Sequence, residues 1–154
     1  TRLFSEVALE ILQGQGMTDK ARCCLILEEA HSLIPEWQAV AQDGDKTATN
    51  GTAKAILQGR KFGFGCLVIT QRTANVTKSI LNQCNTVFAM RVFDSTGMEF
   101  LRNYIGNDYA GVLSTLDDRH AIIFGRGSSC KDPVMLRLND REKFIESFRK
   151  ASQA

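Results

Sequence analysis

A chain of 154 residues, 44% hydrophobic and 23% charged, can bury a core of its own and is neither disordered nor fibrous in composition. No apolar run approaches the roughly 18–20 residues of a membrane span, and TRLFSEVALEIL has no signal-peptide core, so a soluble cytoplasmic protein without a membrane partner is expected. The net charge of +2 does not by itself demand nucleic acid, and five cysteines without a C-x-x-C pair, beside only two histidines, argue against zinc and for reduced thiols.

The chain opens in mid-pattern without Met and reads as a segment of a longer protein, a single domain over residues 1–154. Residues 3–13 place apolar side chains at helical spacing, and Gly14 and Gly16 end that helix. Residues 23–27 (CCLIL) form a short apolar run suited to a strand buried on both faces. The small polar residues 38–53 have no period and predict a loop, followed by a helix over 53–62. CLVIT at 66–70 predicts a second strand, then a turn with a short helix, then a third strand at 86–92. Two short helices are expected at 95–105 and 108–116, strands at 120–125 and 133–138, and a closing helix at 140–150 with Asp140 as its N-cap. Strands that alternate with helices predict an α/β fold, its sheet mostly parallel and flanked by helices. The last two strands, joined by a short turn, should form an antiparallel hairpin.

The chemistry concentrates where apolar strands run into polar residues. Cys23–Leu27 leads directly into Glu28, Glu29, Ala30 and His31. In parallel sheets ligands bind beyond the C-terminal strand ends, so both carboxylates fall at that edge. Nucleotide hydrolysis uses two such groups, one in the magnesium shell and one that polarises the attacking water. The plainer alternative is a pair of acids in a helix first turn. Gln71 follows the second strand, where an amide can bond both a phosphate oxygen and a water, or can simply cap a turn. Arg91 ends the third apolar run, where a cation usually pairs with an acid at the sheet edge.

Taken in order, CLILEEAHSLIP (24–35), GRKFGFGCLVITQR (59–72) and ILNQCNTVFAMRV (80–92) resemble the HerA helicase/translocase family, of the FtsK-HerA group of RecA-like P-loop ATPases. The resemblance spans about residues 20–138. It implies the C-terminal portion of a RecA-like domain, in a hexameric ring that moves double-stranded DNA at the expense of ATP with Mg2+, alongside a nuclease partner in some relatives. It implies Glu28 as the Walker B acid, holding Mg2+ through water, and Glu29 as the catalytic glutamate. Gln71 takes the sensor position, and Arg60 takes a basic position able to reach a neighbouring subunit's nucleotide. Lys61, Arg91 and Arg126 are the rival cations.

Two departures accompany the resemblance. Glu28 stands where P-loop ATPases more often carry Asp. No G-x-x-x-x-G-K-[ST] run is present, and Gly44-Asp45-Lys46-Thr47 is a poor substitute because it lacks the glycine before Lys, so the phosphate loop is expected upstream. The 38–53 segment, with Lys46 and the adjacent Lys54, is a candidate DNA-facing loop or a plain surface loop. A conjugation or type IV secretion ATPase shares the strand–acid–acid and T-Q patterns and is one alternative. A non-catalytic assembly or DNA-binding module of the same fold is the other.

Overall fold

A computed structural model describes residues 2–36 and 43–152, leaving aside the side chains of 43–50 and 74. The chain forms two compact units, Thr1–Cys84 and Asn85–Ala154.

In the first unit, strands β1 (Cys23–Leu27) and β2 (Phe64–Val68) pair in parallel, with Cys23 opposite Phe64 and Leu27 opposite Val68. Helices α1 (Arg2–Gly14) and α3 (Asp43–Gly59) pack on one face of the pair. Leu9 and Leu12 of α1 meet Ala55 of α3 and Phe64 of β2, and Cys23 and Leu25 pack beneath them. Ser5 and Thr52 form a buried hydroxyl–hydroxyl hydrogen bond of 3.3 Å between the two helices. Between β1 and α3 lies the single turn α2 (Ala30–Leu33), and α4 (Lys78–Leu81) follows β2.

The first unit departs from four expectations. Residues 43–53 of the predicted loop are helical, the first part of α3; residues 37–42 lie outside the described residues. Thr, Asn and Gly are weak helix formers, but small side chains are what the α1–α3 contact needs, and tertiary packing overrides propensity. Thr52, Ala53 and Ala55 are buried there, and a Cβ at Gly51 would run into the side chains of Glu6 and Arg2. Lys54 is exposed on this helix rather than on a loop. The second strand starts at Phe64, two residues earlier than predicted, because Phe64 is drawn under α1 and α3. The β1 run is covered on one face only: Ile26 is 58% exposed, and Leu67 and Ile69 lie about half exposed. The thiols of Cys23, Cys66 and Cys84 are half-buried rather than buried, and none of the five cysteines is in a disulfide. Burial, helped by the neighbouring Cys84 and Cys24, still pushes the Cys66 thiol up to about 12.

In the second unit, β3 (Thr86–Ala89), β4 (His120–Gly125) and β5 (Val134–Arg137) form an antiparallel sheet in chain order. The β4–β5 hairpin is as predicted. The third strand, however, ends at Ala89 and pairs antiparallel with β4 instead of extending a parallel sheet. An intervening helix does not fix a parallel crossing when that helix bends. Helix α5 (Ser95–Val112) contains Gly106 at φ 81°, ψ 167°, so it is two helical arms, as the sequence suggested. Leu101, Ile105, Ala110 and Leu113 pack with Ala89 and Ile122 to make this unit's core. Asp140 caps α6 (Arg141–Ala151), its carboxylate accepting from the Glu142 and Lys143 amides at 3.1 and 3.3 Å. Among the described residues no helix is long and apolar enough to cross a membrane.

The turn into β2 depends on Gly63. Its φ is +79°, and a Cβ there would collide with the Lys20 carbonyl oxygen. The Gly63 carbonyl also accepts the Arg22 amide at 2.8 Å, so turn and strand start are locked together. Gly63→Ala is expected to cost about 1–3 kcal/mol in urea unfolding. Gly14→Ala, at a helix end with nothing within 4 Å, should leave stability unchanged or slightly raised. Equal losses at both positions would show that the Lys20 contact does not matter.

Candidate active site

The C-terminal end of β1 carries the carboxylates, and the backbone explains how. By the parallel register, Glu28 should lie opposite Ile69. The Ile69 amide donates to the Leu27 carbonyl at 2.9 Å, as a regular pair requires. The Ile69 carbonyl, however, accepts from Ala30 at 3.0 Å, one residue later than a regular ladder gives. One extra residue is therefore accommodated at Glu28–Glu29, in the manner of a β-bulge. Glu29 closes it in the left-handed region, at φ 51°, ψ 46°. Glu residues avoid that region, and such backbone strain concentrates at functional sites.

Both glutamates are exposed at this edge, while Ala30 behind them is fully buried. Neither lies inside the helix that follows. Glu29 precedes α2, and its side chain makes no cap hydrogen bond, so first-turn acids are not what is seen. The Glu29 carboxylate instead turns to His31, Oε2 lying 3.3 Å from Nδ1. The same Nδ1 lies 3.4 Å from the Thr70 hydroxyl at the end of β2. Thr70 in turn accepts the Arg72 amide at 3.0 Å, shaping the bend that presents Gln71. Gln71 is exposed, three residues past β2 and next to Thr70.

The segments that leave the two strands are stitched together beyond this point. The Thr77 hydroxyl donates to the Pro35 carbonyl at 2.7 Å, and its amide donates to the Ile34 carbonyl at 3.0 Å. The Glu36 carboxylate accepts the Lys78 amide at 2.8 Å, and Ile34 and Val76 are fully buried. SLIP and NVTK therefore anchor the two loops side by side.

Glu28, Glu29 and Gln71 thus share one sheet edge. Arg60 does not join them. It sits exposed in the 3-10 turn Arg60–Phe62, at the other end of β2, roughly 16 Å away by the length of a five-residue strand. There it lines an open cleft with Lys20, Gln58 and Lys61 and makes no ion pair among the described residues. Of the rivals, Arg91 lies just past β3 and pairs with Asp118 at 3.1 Å, the structural role expected for a cation at a sheet edge. Arg126 is exposed after β4, its amide donating to Asn85. The Gly44–Thr47 run lies within α3. His31 and Thr70 are the residues that inspection of the motifs passed over. The signal was their place in EEAH and in T-Q, His31 two residues after Glu29 and Thr70 directly before Gln71.

No family model matches the chain. It is similar to the DNA double-strand break repair helicase HerA of Sulfolobus acidocaldarius, at 25% identity over 76% of this chain and 23% of that protein. The probable DNA double-strand break repair helicase HerA of Methanocaldococcus jannaschii is 28% identical over 88% of this chain and 26% of its own length. The chain is thus HerA-like over most of its length, and spans about a quarter of these relatives. Among solved structures, the genome packaging NTPase of Sulfolobus turreted icosahedral virus 2, in complex with ATP-gammaS, superposes with a TM-score of 0.62. That match has 18% identity and covers 89% of this chain and 60% of the NTPase. The α/β fold, with its parallel strands and C-terminal antiparallel sheet, is the one this packaging NTPase shares.

The left-handed backbone of Glu29 has a measurable consequence. Glu29→Gly should leave the chain as stable as the parent or up to about 1 kcal/mol more stable, since glycine adopts that conformation freely. Glu28→Gly, where φ is not positive, should lose about 0.5–1 kcal/mol. A Glu29→Gly variant that melts well below the parent would mean that the bulge stores no strain.

Proposed function

We propose that this chain is the C-terminal portion of a RecA-like domain in an ATP-driven translocase of double-stranded DNA, residues 1–154 belonging to one ATPase domain. The observation that carries the reading is the bulge that places Glu28 and Glu29 beside Gln71 at the C-terminal edge of a parallel strand pair. Similarity to helicases named HerA, and a fold shared with a packaging NTPase solved with ATP-gammaS, support it. The open apolar face at Ile26, Leu67 and Ile69 is what a sheet missing its neighbours would show, which fits a phosphate-loop part lying upstream.

In this reading Glu29 is the base that orients the attacking water, and Gln71 bonds the water or the terminal phosphate. Glu28 offers a single hard carboxylate oxygen donor, and no group of three His, Cys, Asp or Glu that could hold a metal exists among the described residues. Magnesium suits such a site, since it keeps most of its waters and takes the rest of its shell from phosphates. When bound it would neutralise charge on the phosphoryl oxygens. Arg60, across the strand pair from its own carboxylates, would in this reading serve a neighbouring subunit's nucleotide. Hydrolysis then depends on assembly into a ring, a hexamer as the resemblance implies. DNA in the ring and a nuclease partner belong to the same proposal.

The full-length protein tests this. Glu29→Gln should keep ATP binding and lose about 100-fold or more in turnover. Arg60→Ala should also be inactive alone, and mixing the two inactive variants should restore part of the activity, because some interfaces then join an intact Glu29 to an intact Arg60. Wild-type turnover by Glu29→Gln would end the role of Glu29 as the base, and a parent protein that binds but does not hydrolyse ATP would leave a non-catalytic module as the better reading. Full activity of Arg60→Ala alone would end the role in trans.

A further inference from the structure

Glu29 sits on a bend, exposed and strained, with its side chain 61% open to solvent. A general base needs a defined orientation, and backbone alone does not give a Glu side chain one. One interaction does. His31 Nδ1 lies 3.3 Å from Glu29 Oε2, while Oε1 has no partner among the described residues. The imidazole is only 18% exposed, so it is a firmer support than a solvated side chain. The Thr70 hydroxyl oxygen lies 3.4 Å from the same nitrogen, where it can accept a share of the one Nδ1–H. Thr70 is fixed by the Arg72 amide and directly precedes Gln71.

We infer that His31 is a positioning residue for Glu29, holding Oε2 so that Oε1 faces the attacking water, and that Thr70 joins this support to the Gln71 end of β2. The inference rests on the reading of Glu29 as the base. Chemically, an Nδ1–H donates to the carboxylate, which fixes rotation about the terminal torsion of the Glu side chain. One oxygen is then committed to the ring and the other keeps its lone pairs free. No proton need leave His31 for this; the ring acts through geometry. The role belongs to Nδ1 alone. That makes it separable from packing, because an Asn amide can occupy the place of Nδ1, whereas a Gln amide reaches the place of Nε2.

The test uses the full-length protein, with ATP turnover, KM for ATP and Tm measured together. His31→Leu should lower kcat about 10-fold or more, with no comparable change in KM or Tm, as expected when a reacting group is misplaced. His31→Asn should return kcat to within about threefold of the parent, since the donor is restored. Thr70→Val should slow the parent and add nothing in the His31→Leu background, because both act through one contact. Should His31→Leu not fold, His31→Gln against His31→Asn makes the same comparison. A His31→Leu enzyme at the parental rate, or His31→Asn as slow as His31→Leu, overturns the inference. Glu29→Gln separates the two levels. If that variant is dead while His31→Leu runs at full rate, only the role of His31 falls. If Glu29→Gln itself is fully active, the base assignment falls and this inference with it.

Discussion

Everything at the proposed site follows from the two hydrogen bonds of Ile69. Its amide takes the Leu27 carbonyl and its carbonyl takes the Ala30 amide, at 2.9 and 3.0 Å. Between those anchors the chain must fit one residue more than the ladder allows. A single left-handed residue solves the problem, and Glu29 is that residue. The conformation costs about 1–2 kcal/mol. Two backbone hydrogen bonds at roughly 1 kcal/mol each offset it, as does the complete burial of Ala30. With the extra residue pushed out of the pleat, both glutamates leave the strand at its C-terminal edge. A regular strand would send consecutive side chains to opposite faces of the sheet.

The same strand pair that gathers the carboxylates and Gln71 keeps Arg60 apart from them. Gly59 and Gly63 frame the turn that carries Arg60, and each is there for a spatial reason. A Cβ at Gly59 would lie 2.6 Å from the Phe64 side chain, and Gly63 abuts the Lys20 carbonyl. Arg60 and Lys61 are therefore presented on a rigid corner rather than a loose loop. A cation fixed at the opposite edge cannot bend back by a rotamer change over a distance of roughly 16 Å. If it acts on a nucleotide, that nucleotide belongs to another copy.

Much of this was legible in the sequence where local chemistry decides. The α1 stripe, the β1 run into Glu28 and Glu29, the Asp140 cap, the two arms on either side of Gly106 and the final hairpin all rest on short-range pattern. What was not legible depends on long-range fit. DGDKTATNGTA reads as loop because its residues are small and polar. In the fold small residues are what lets α3 approach α1, with Ser5 against Thr52. The pairing of β3 with β4 was missed for a similar reason, since no local feature says which way a bent helix returns the chain. At the site, types and order gave Glu28, Glu29 and Gln71. The bulge, the sign of φ at Glu29 and the contact from His31 to Thr70, 39 residues apart, exist only once the two strands are side by side.

That separation in sequence is also what makes the edge behave as one body. The segment after Glu29 and the segment that carries Gln71 meet at successive points: Ala30 with Ile69, His31 with Thr70, Ile34 and Pro35 with Thr77, and Glu36 with Lys78. Buried Ile34 and Val76 lock the far end of the seam. Packed elements joined in this way shift together or not at all, because interiors at crystal-like density have no room for one segment to slide past the other. A phosphate that draws on Gln71 would therefore act on a side chain whose neighbour already holds the support of Glu29. The proposed base and the proposed sensor are then two readings of one rigid seam, and the strain at Glu29 is balanced by contacts along the whole of it.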